Sequence, residues 1–199
     1  LHLSYGKCEM FLVMQDKVDG SPQGAISKFP FRFSSGAMRG RFNDQDGQLY
    51  VTGLKGWQTS GARDGCLQRV RYVGGDWPRP LSLKAHKNGI LLRFGVKLGE
   101  ELANDPESYA VNHWNYRWTS RYGSPDYKVS NPEKTGRDKL TVLSAKLQSD
   151  GKSVFIEIEG IQPVMQMEIA YDLENENGDE LVDKVHNTIH KLRPAFRIR

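Results

Sequence analysis

The chain has 199 residues, of which 38% are apolar and 26% are charged, and its net charge is +4 at pH 7. This length fits one large domain or two small ones. The sequence has no apolar run of about 18 residues that would cross a membrane, and its basic residues are scattered, which argues against a nucleic-acid-binding protein. It begins at Leu1 without a recognisable signal peptide, so we expect a mature or excised piece of a longer protein.

Alternating apolar residues predict strands in the first part of the chain, because successive side chains of a strand point to opposite faces. Phe29, Phe31 and Phe33 would share one face of such a strand, and Pro30 favours an edge position. The turn sequence DQDG occupies Asp44–Gly47. A sheet built from about 75 residues needs neighbours to cover its two apolar faces. The predicted strands are residues 10–14, 28–33, 48–54 and 66–73.

A linker is predicted at residues 74–80, GGDWPRP, because two glycines and two prolines stand within this short stretch. The strand pattern then resumes, and the turn SDGK at 149–152 joins two strands as a hairpin. One short helical turn is expected within 102–109. A part of about 110 residues with this many strands is typical of a β-sandwich. Its predicted strands are residues 89–94, 108–114, 139–147, 153–160 and 165–173.

Several motifs of the first part occur together: Gly40 with Phe42, the turn at Asp46 and Gly47, and then Leu49–Val51 and Arg69–Tyr72. Together they resemble the last blade of secreted propellers of the sorbosone or glucose dehydrogenase type, which large exported proteins of planctomycetes carry. The residues from 89 to 192 resemble the immunoglobulin-like domain that follows the propeller in those proteins. The resemblance transfers no catalytic site, because the quinone and the catalytic base of these enzymes belong to earlier blades.

We therefore predict an all-β fold in two domains. Residues 1–76 would form a propeller-blade-like antiparallel sheet, and residues 77–199 an immunoglobulin-like β-sandwich with an aromatic-rich insertion. The resemblance implies a secreted or periplasmic, non-catalytic C-terminal module that packs, positions or docks substrate for a sugar-oxidising or carbohydrate-processing parent. Its partners would be the remaining blades or domains of that parent. A fragment of a quinone- or haem-dependent sugar dehydrogenase is an alternative.

The segment His113–Tyr127, HWNYRWTSRYGSPDY, concentrates five Trp and Tyr residues. In an extended chain, alternate aromatic side chains of this segment would project from one face and could stack on sugar rings. Packing of the same row into the core, or against a preceding blade, is the alternative. The candidate ligand-binding residues, with carbohydrate as the ligand, are Trp114, Tyr116, Arg117, Trp118, Tyr122 and Tyr127.

The remaining candidates are weaker. Cys8 and Cys66 both fall within apparent strands of the first part and are candidates for a disulfide, with two free thiols as the alternative. His186 and His190 would lie about 13 Å apart on a strand, too far for one ion. A copper site with His113, Met165 and Met167 is less favoured than methionines that fill the core, and we predict no metal and no cofactor.

Arg39 and Arg41 would point to the same side of an extended chain. In a complete propeller they could face the central channel and attract an anionic substrate. In this chain alone, exposed charges at a sheet edge are the favoured interpretation.

Overall fold

The structure is a computed structural model that describes residues 1–197, and antiparallel β-strands dominate it, which confirms the all-β prediction. One five-residue α-helix, α1 (Glu100–Asn104), is present in these residues. The strands are β1 (His2–Ser4), β2 (Glu9–Val18), β3 (Ser21–Lys28), β4 (Gly36–Phe42), β5 (Leu49–Leu54), β6 (Gly65–Val70), β7 (Pro80–His86), β8 (Gly89–Phe94), β9 (Tyr109–Trp114), β10 (Asp138–Leu140), β11 (Val142–Leu147), β12 (Ser153–Ile158), β13 (Val164–Glu174) and β14 (Glu180–Ile189).

The chain divides into two compact units. The first comprises Leu1–Val13 and Lys28–Gly75, and the second comprises Met14–Ser27 and the chain from Asp76 onward. The change of unit at Gly75 falls within the glycine- and proline-rich segment that predicts a linker. The predicted linear division into 1–76 and 77–199 differs from this one, because most of the β2–β3 hairpin groups with the second unit.

The first unit contains the three-stranded antiparallel sheet β4-β5-β6. Its central strand β5 buries Leu49 and Val51 against Met10 and Phe33. Thr52, the next residue of this strand, is exposed. This alternation is the expected result of a strand with one covered face. In the same unit β1 pairs with the beginning of β2, with His2 opposite Phe11.

The predicted strand at 28–33 is wrong, because β3 ends at Lys28 and the following residues are irregular. Pro30 has no backbone N–H and cannot continue a ladder of hydrogen bonds. The segment still runs beside β2, since the Phe29 and Phe33 amides donate to the Met10 and Cys8 carbonyls at 3.0 and 2.7 Å. The three phenylalanines contact one another in sequence, with ring centroids 5.7 and 5.6 Å apart.

The candidate disulfide between Cys8 and Cys66 is not formed, and both residues are free thiols. Cys8 is buried, and its sulfur lies 3.6 Å from the Thr59 hydroxyl oxygen. Cys66 lies on β6 opposite Gly53, and its sulfur packs against the position where Gly53 lacks a Cβ atom. The two sulfurs therefore have different neighbours, which is the arrangement of the free-thiol alternative.

The second unit contains two antiparallel sheets. One has the order β2-β3-β14-β13-β9-β10 within this unit, and the other has the order β11-β12-β8-β7. Side chains from both sheets form a single hydrophobic core. Fully buried members of this core include Leu92 and Ile156 on one sheet and Val111, Ile169 and Val185 on the other. Because the buried side chains of both sheets belong to this core, packing of one sheet stabilises the other.

Most strands predicted for the second part are confirmed, and so is the short helical turn, which forms α1 and a 3-10 turn at Pro106–Ser108. Two strands were missed. β7 begins at Pro80, directly after the linker, and β14 carries charged residues between its buried ones. No helix within residues 1–197 has the length and apolar character needed to span a membrane.

The shared core leads to a stability prediction. Replacement of Leu92 by Ala should lower the free energy of unfolding by about 2–5 kcal/mol, because it removes fully buried methyl groups and leaves a cavity. Leu143→Ala is the matched control, because that side chain is 54% exposed, and it should cost less than about 0.5 kcal/mol. Urea unfolding of both variants measures the difference, and equal losses would contradict this packing.

Candidate functional site

In the larger sheet of the second unit, polar and aromatic side chains of β9, β13 and β14 lie on the outward face, which is the face away from the core. Glu168 on β13 lies directly opposite Asn112 on β9 and His186 on β14. Residues that face each other across an antiparallel pair project to the same side of the sheet. The neighbouring residues Met167 and Ile169 are buried in the core, so Glu168 points to the opposite, outward side.

Glu168 is a nearly buried carboxylate that three basic side chains surround. Its Oε2 atom lies 3.0 Å from His186 Nε2, 3.1 Å from Lys184 Nζ and 3.4 Å from an Arg137 guanidinium nitrogen. A buried charge is tolerated when it is paired and hydrogen-bonded in this way. We refer to these four residues, Arg137, Glu168, Lys184 and His186, as the Glu168 cluster.

The electrostatics of the cluster follow from burial and from these partners. Burial alone would raise the pKa of Glu168, but the hydrogen bond from Lys184 and the positive charges of Lys184 and Arg137 outweigh it and lower that pKa. Burial lowers the pKa of His186 despite the nearby Glu168 carboxylate. At neutral pH the cluster therefore contains one carboxylate, a neutral imidazole and two cations.

Trp114 packs against this cluster. The Arg137 guanidinium carbon lies 3.7 Å from the centroid of the Trp114 ring, and the His186 ring meets the Trp114 ring edge-on at 6.4 Å. Arg137 is also held by Asp126, whose Oδ2 accepts a hydrogen bond from its Nε at 2.7 Å. A cation above an indole ring is an attractive arrangement, so Arg137 ties the loop residue Asp126 to the sheet.

The expected exposed row of Trp114, Tyr116 and Trp118 is therefore not formed. Strand β9 ends at Trp114, so the residues after it do not continue the alternation of a strand. Trp114 retains only 6% of its accessible surface because Arg137 and His186 cover it. Trp114 is therefore packed against neighbouring residues, which is the alternative to sugar binding given above.

The residues after Trp114 form a loop that closes on itself. Asn115 and Tyr127 exchange two backbone hydrogen bonds, of 2.9 and 2.8 Å. Arg117 lies with its guanidinium carbon 4.5 Å from the Tyr127 ring centroid, and it forms an ion pair with Glu133 at 2.5 Å. Its backbone N–H donates to the Ser124 hydroxyl at 3.0 Å. These contacts hold the base of the segment Asn115–Tyr127, which we call the aromatic loop.

The aromatic loop presents three rings to solvent. Trp118 is fully exposed, Tyr122 is 84% exposed and Tyr116 is 48% exposed. The Tyr116 backbone N–H donates to the Met165 sulfur at 3.4 Å, which anchors the start of the loop to β13. Of the six predicted binding residues, these three are therefore available at the surface, while Arg117 and Tyr127 form the base of the loop and Trp114 is buried.

Sequence reasoning missed the Glu168 cluster, including its member Arg137. The strand pattern around Glu168 indicates only that this side chain leaves the core. Its partners Arg137 and His186 come from chain positions 31 and 18 residues away, and strand pairing brings them together. A carboxylate flanked by buried apolar residues is the one local signal that could have indicated a paired charge.

The residues of the copper alternative lie in different environments. A register shift between Val164 and Met167 separates Met165, which is exposed, from Met167, which is buried opposite His113. The two sulfurs therefore do not converge with the imidazole. Among residues 1–197, no group of three or more His, Cys, Asp and Glu side chains is arranged to hold a metal ion.

Comparison of the chain with protein-family models, with curated proteins and with solved structures found no match. The resemblance to propeller-associated proteins and the expected export of the parent stay predictions.

The charge balance of the Glu168 cluster leads to a second prediction. Glu168→Gln should lower the free energy of unfolding by about 1–3 kcal/mol, because Arg137 and Lys184 lose the carboxylate that neutralises them. Asp172→Asn removes an exposed carboxylate from the same strand and should change stability by less than about 0.5 kcal/mol. Thermal or urea unfolding of both variants tests this, and indistinguishable effects would contradict the role of Glu168.

One buried and two half-buried histidines lead to a third prediction. Burial lowers the pKa values of His86, His113 and His186. Unfolding returns each imidazole to a pKa of about 6.5, so the unfolded chain binds more protons than the folded chain as the pH falls through this value. The contribution of these histidines to the free energy of unfolding should therefore be fully present above about pH 7. It should fall toward pH 5, by up to about 1.4 kcal/mol per pH unit for each proton taken up.

Urea unfolding at pH 7.5, 6.5 and 5.5 measures this dependence. His113→Gln should reduce the slope of unfolding free energy against pH, whatever its effect on stability at pH 7.5. A stability that does not fall between pH 7.5 and 5.5 would show that these imidazoles are not shielded from protons.

Proposed function

We propose that this chain is a binding module that docks carbohydrate on the aromatic loop, with Trp118, Tyr122 and Tyr116 as the contact residues. The single observation that carries the proposal is the complete exposure of Trp118 on a loop whose base is fixed. Single exposed apolar residues are ordinary, but several exposed rings within one short segment can form the kind of apolar patch that marks a binding surface. Sugar rings offer apolar faces that stack on an indole.

The anchoring of the loop supports this function. The paired backbone of Asn115 and Tyr127, the ion pair of Arg117 with Glu133, and the contact of Asp126 with Arg137 restrain the segment on both sides of Trp118. A binding group that is restrained before the ligand arrives loses less conformational entropy on binding. The Glu168 cluster thus has a supporting role in this proposal: it holds the frame that presents the rings.

The wider setting of the module is also part of the proposal. Two antiparallel sheets that share one core support an immunoglobulin-like sandwich for the second unit. A three-stranded sheet with one covered face supports a propeller-blade-like first unit. Together with the sequence resemblance, they support a module that docks substrate for an exported, carbohydrate-processing parent.

Binding measurements with soluble polysaccharides test the proposal. We expect at least one neutral glucan, xylan or mannan in a panel to bind the chain and to quench its tryptophan fluorescence. Trp118→Ala should weaken this binding by about tenfold or more, because a central stacked ring contributes about 2 kcal/mol when it is a main contact.

Trp57→Ala is the matched control, because Trp57 is also largely exposed but belongs to the first unit. It should leave the affinity for the polysaccharide unchanged. The proposal is wrong if no polysaccharide in the panel binds, or if Trp118→Ala binds as tightly as the unmodified chain.

A further inference from the structure

Three arginines from two different strands share the outward face of the sheet β4-β5-β6. Arg41 and Arg69 both lie directly opposite Tyr50, one on each side of it, and Arg39 lies opposite Thr52. Directly opposed residues of antiparallel strands project to the same side. The neighbouring residues Leu49 and Val51 are buried in the core of the first unit, so the arginines project to solvent. We call Arg39, Arg41, Tyr50, Thr52 and Arg69 the arginine face.

The arginines of this face are exposed and have no carboxylate partner among residues 1–197 within the 4.0 Å distance of an ion pair. Arg39 and Arg41 donate to the carbonyls of the residues that precede them. The second unit differs, because it pairs five of its arginines with nearby carboxylates. These are Arg79, Arg93, Arg117, Arg137 and Arg193. The guanidinium groups of the arginine face therefore keep their capacity to bind an anion.

One acidic residue, Asp46, lies near this face and is already engaged. Its carboxylate accepts hydrogen bonds from the Gln48 backbone N–H at 2.9 Å and from the Tyr50 hydroxyl at 2.8 Å. These bonds, the backbone one first, lower the pKa of Asp46, and the positive charge of Arg69 lowers it further. The carboxylate holds the Tyr50 hydroxyl and the turn Asp44–Gly47, and it leaves the face with an excess of positive charge.

The spacing of the arginines suits a linear polyanion. Arg39 and Arg41 stand about 7 Å apart along β4, and Arg41 and Arg69 about 10 Å apart across β5, from the dimensions of a sheet. A nucleic-acid single strand would need several aromatic rings on which to stack its bases. Tyr50 is the aromatic residue among the paired positions of this face, and its hydroxyl is bound to Asp46. Guanidinium groups bind carboxylate and sulfate groups through paired N–H donors, and Thr52 adds a hydroxyl group that can bond to sugar hydroxyls.

We infer that the arginine face binds an acidic polysaccharide through its sulfate or carboxylate groups. This site is independent of the aromatic loop, because it belongs to the other unit and uses charge instead of ring stacking. It adds a ligand class to the neutral polysaccharides of the proposed function, and either site can fail without the other.

The experiment compares polymers that differ in charge alone. Dextran sulfate and unsulfated dextran of equal mass are titrated into the chain by calorimetry, and polygalacturonate distinguishes carboxylate from sulfate recognition. We expect dextran sulfate or polygalacturonate to bind and dextran to bind much more weakly at this site. The triple variant R39Q/R41Q/R69Q should lose about tenfold or more in affinity, because it removes three ion pairs. Its salt dependence should also become shallower, since fewer counterions are released.

The matched control R63Q/K146Q/R197Q removes the same charge from exposed positions elsewhere and should bind almost as tightly as the unmodified chain. R39K/R41K/R69K keeps the charge but loses the paired donors, and it should show an intermediate affinity. Circular dichroism and thermal unfolding verify that each variant is folded.

Three results would overturn the inference. The first is undiminished binding by folded R39Q/R41Q/R69Q, and the second is an equal loss in the control variant, which would indicate only net charge. The third is tighter, arginine-dependent binding of an oligo(dT) strand than of either acidic polysaccharide, which would assign the face to nucleic acid. Loss of neutral-glycan binding in Trp118→Ala alone leaves the arginine face unaffected, so the two proposals are tested separately.

Discussion

The pairing of β13 between β9 and β14 is the interaction on which the second unit depends. This pairing sends Met167, Ile169 and Tyr171 into the core and Glu168 to the opposite side. A shift of one residue would exchange the two sets, burying a carboxylate among apolar side chains and exposing the core. The same register brings His186 and Lys184 to Glu168, so one strand register forms both the core and the charge cluster.

The Glu168 cluster also explains why the aromatic loop has a defined base. Arg137 contacts Glu168, Asp126 and the Trp114 ring together, which connects the strand pairing of the sheet to the start and the end of the loop. Trp114 is the ring that this network uses for packing. Trp118, a few residues later, lies beyond the last strand residue and is left to solvent. The two tryptophans thus take different roles because the strand ends between them.

The two units present different chemistry at their surfaces. In the second unit Arg117 and Arg137 each pair with a carboxylate and lie over an aromatic ring. The aromatic loop exposes large rings to solvent. In the first unit the arginines of β4 and β6 form no ion pair within residues 1–197, although the charge of Arg69 acts on Asp46. The Asp46 carboxylate also binds the hydroxyl of the tyrosine between them. Stacking on neutral sugars and attraction of anionic groups are the two recognition modes that these surfaces suit.

The amino-acid sequence by itself determined the fold class and the position of most strands, because alternation of apolar and polar residues is a local pattern that one covered sheet face imposes. It also located the turn at 149–152 and predicted a linker at 74–80, the segment in which the change of unit falls. It failed at residues 28–33, where the phenylalanines alternate but Pro30 interrupts the ladder. It did not predict β14, where charged residues obscure the buried ones, or the strands β1, β3, β4 and β7.

Only the tertiary structure decided which side chains meet. Arg39 and Arg69 are separated by 30 residues in sequence and become neighbours of β5 only through strand pairing. Trp114 and Trp118 look equivalent in sequence, yet one is covered by Arg137, which comes from beyond the loop. Cys8 and Cys66 likewise occupy separate neighbourhoods although both stand in the first unit. Periodicity reports the face on which a residue lies, whereas its partners depend on register and loop closure, which are set by contacts between distant parts of the chain.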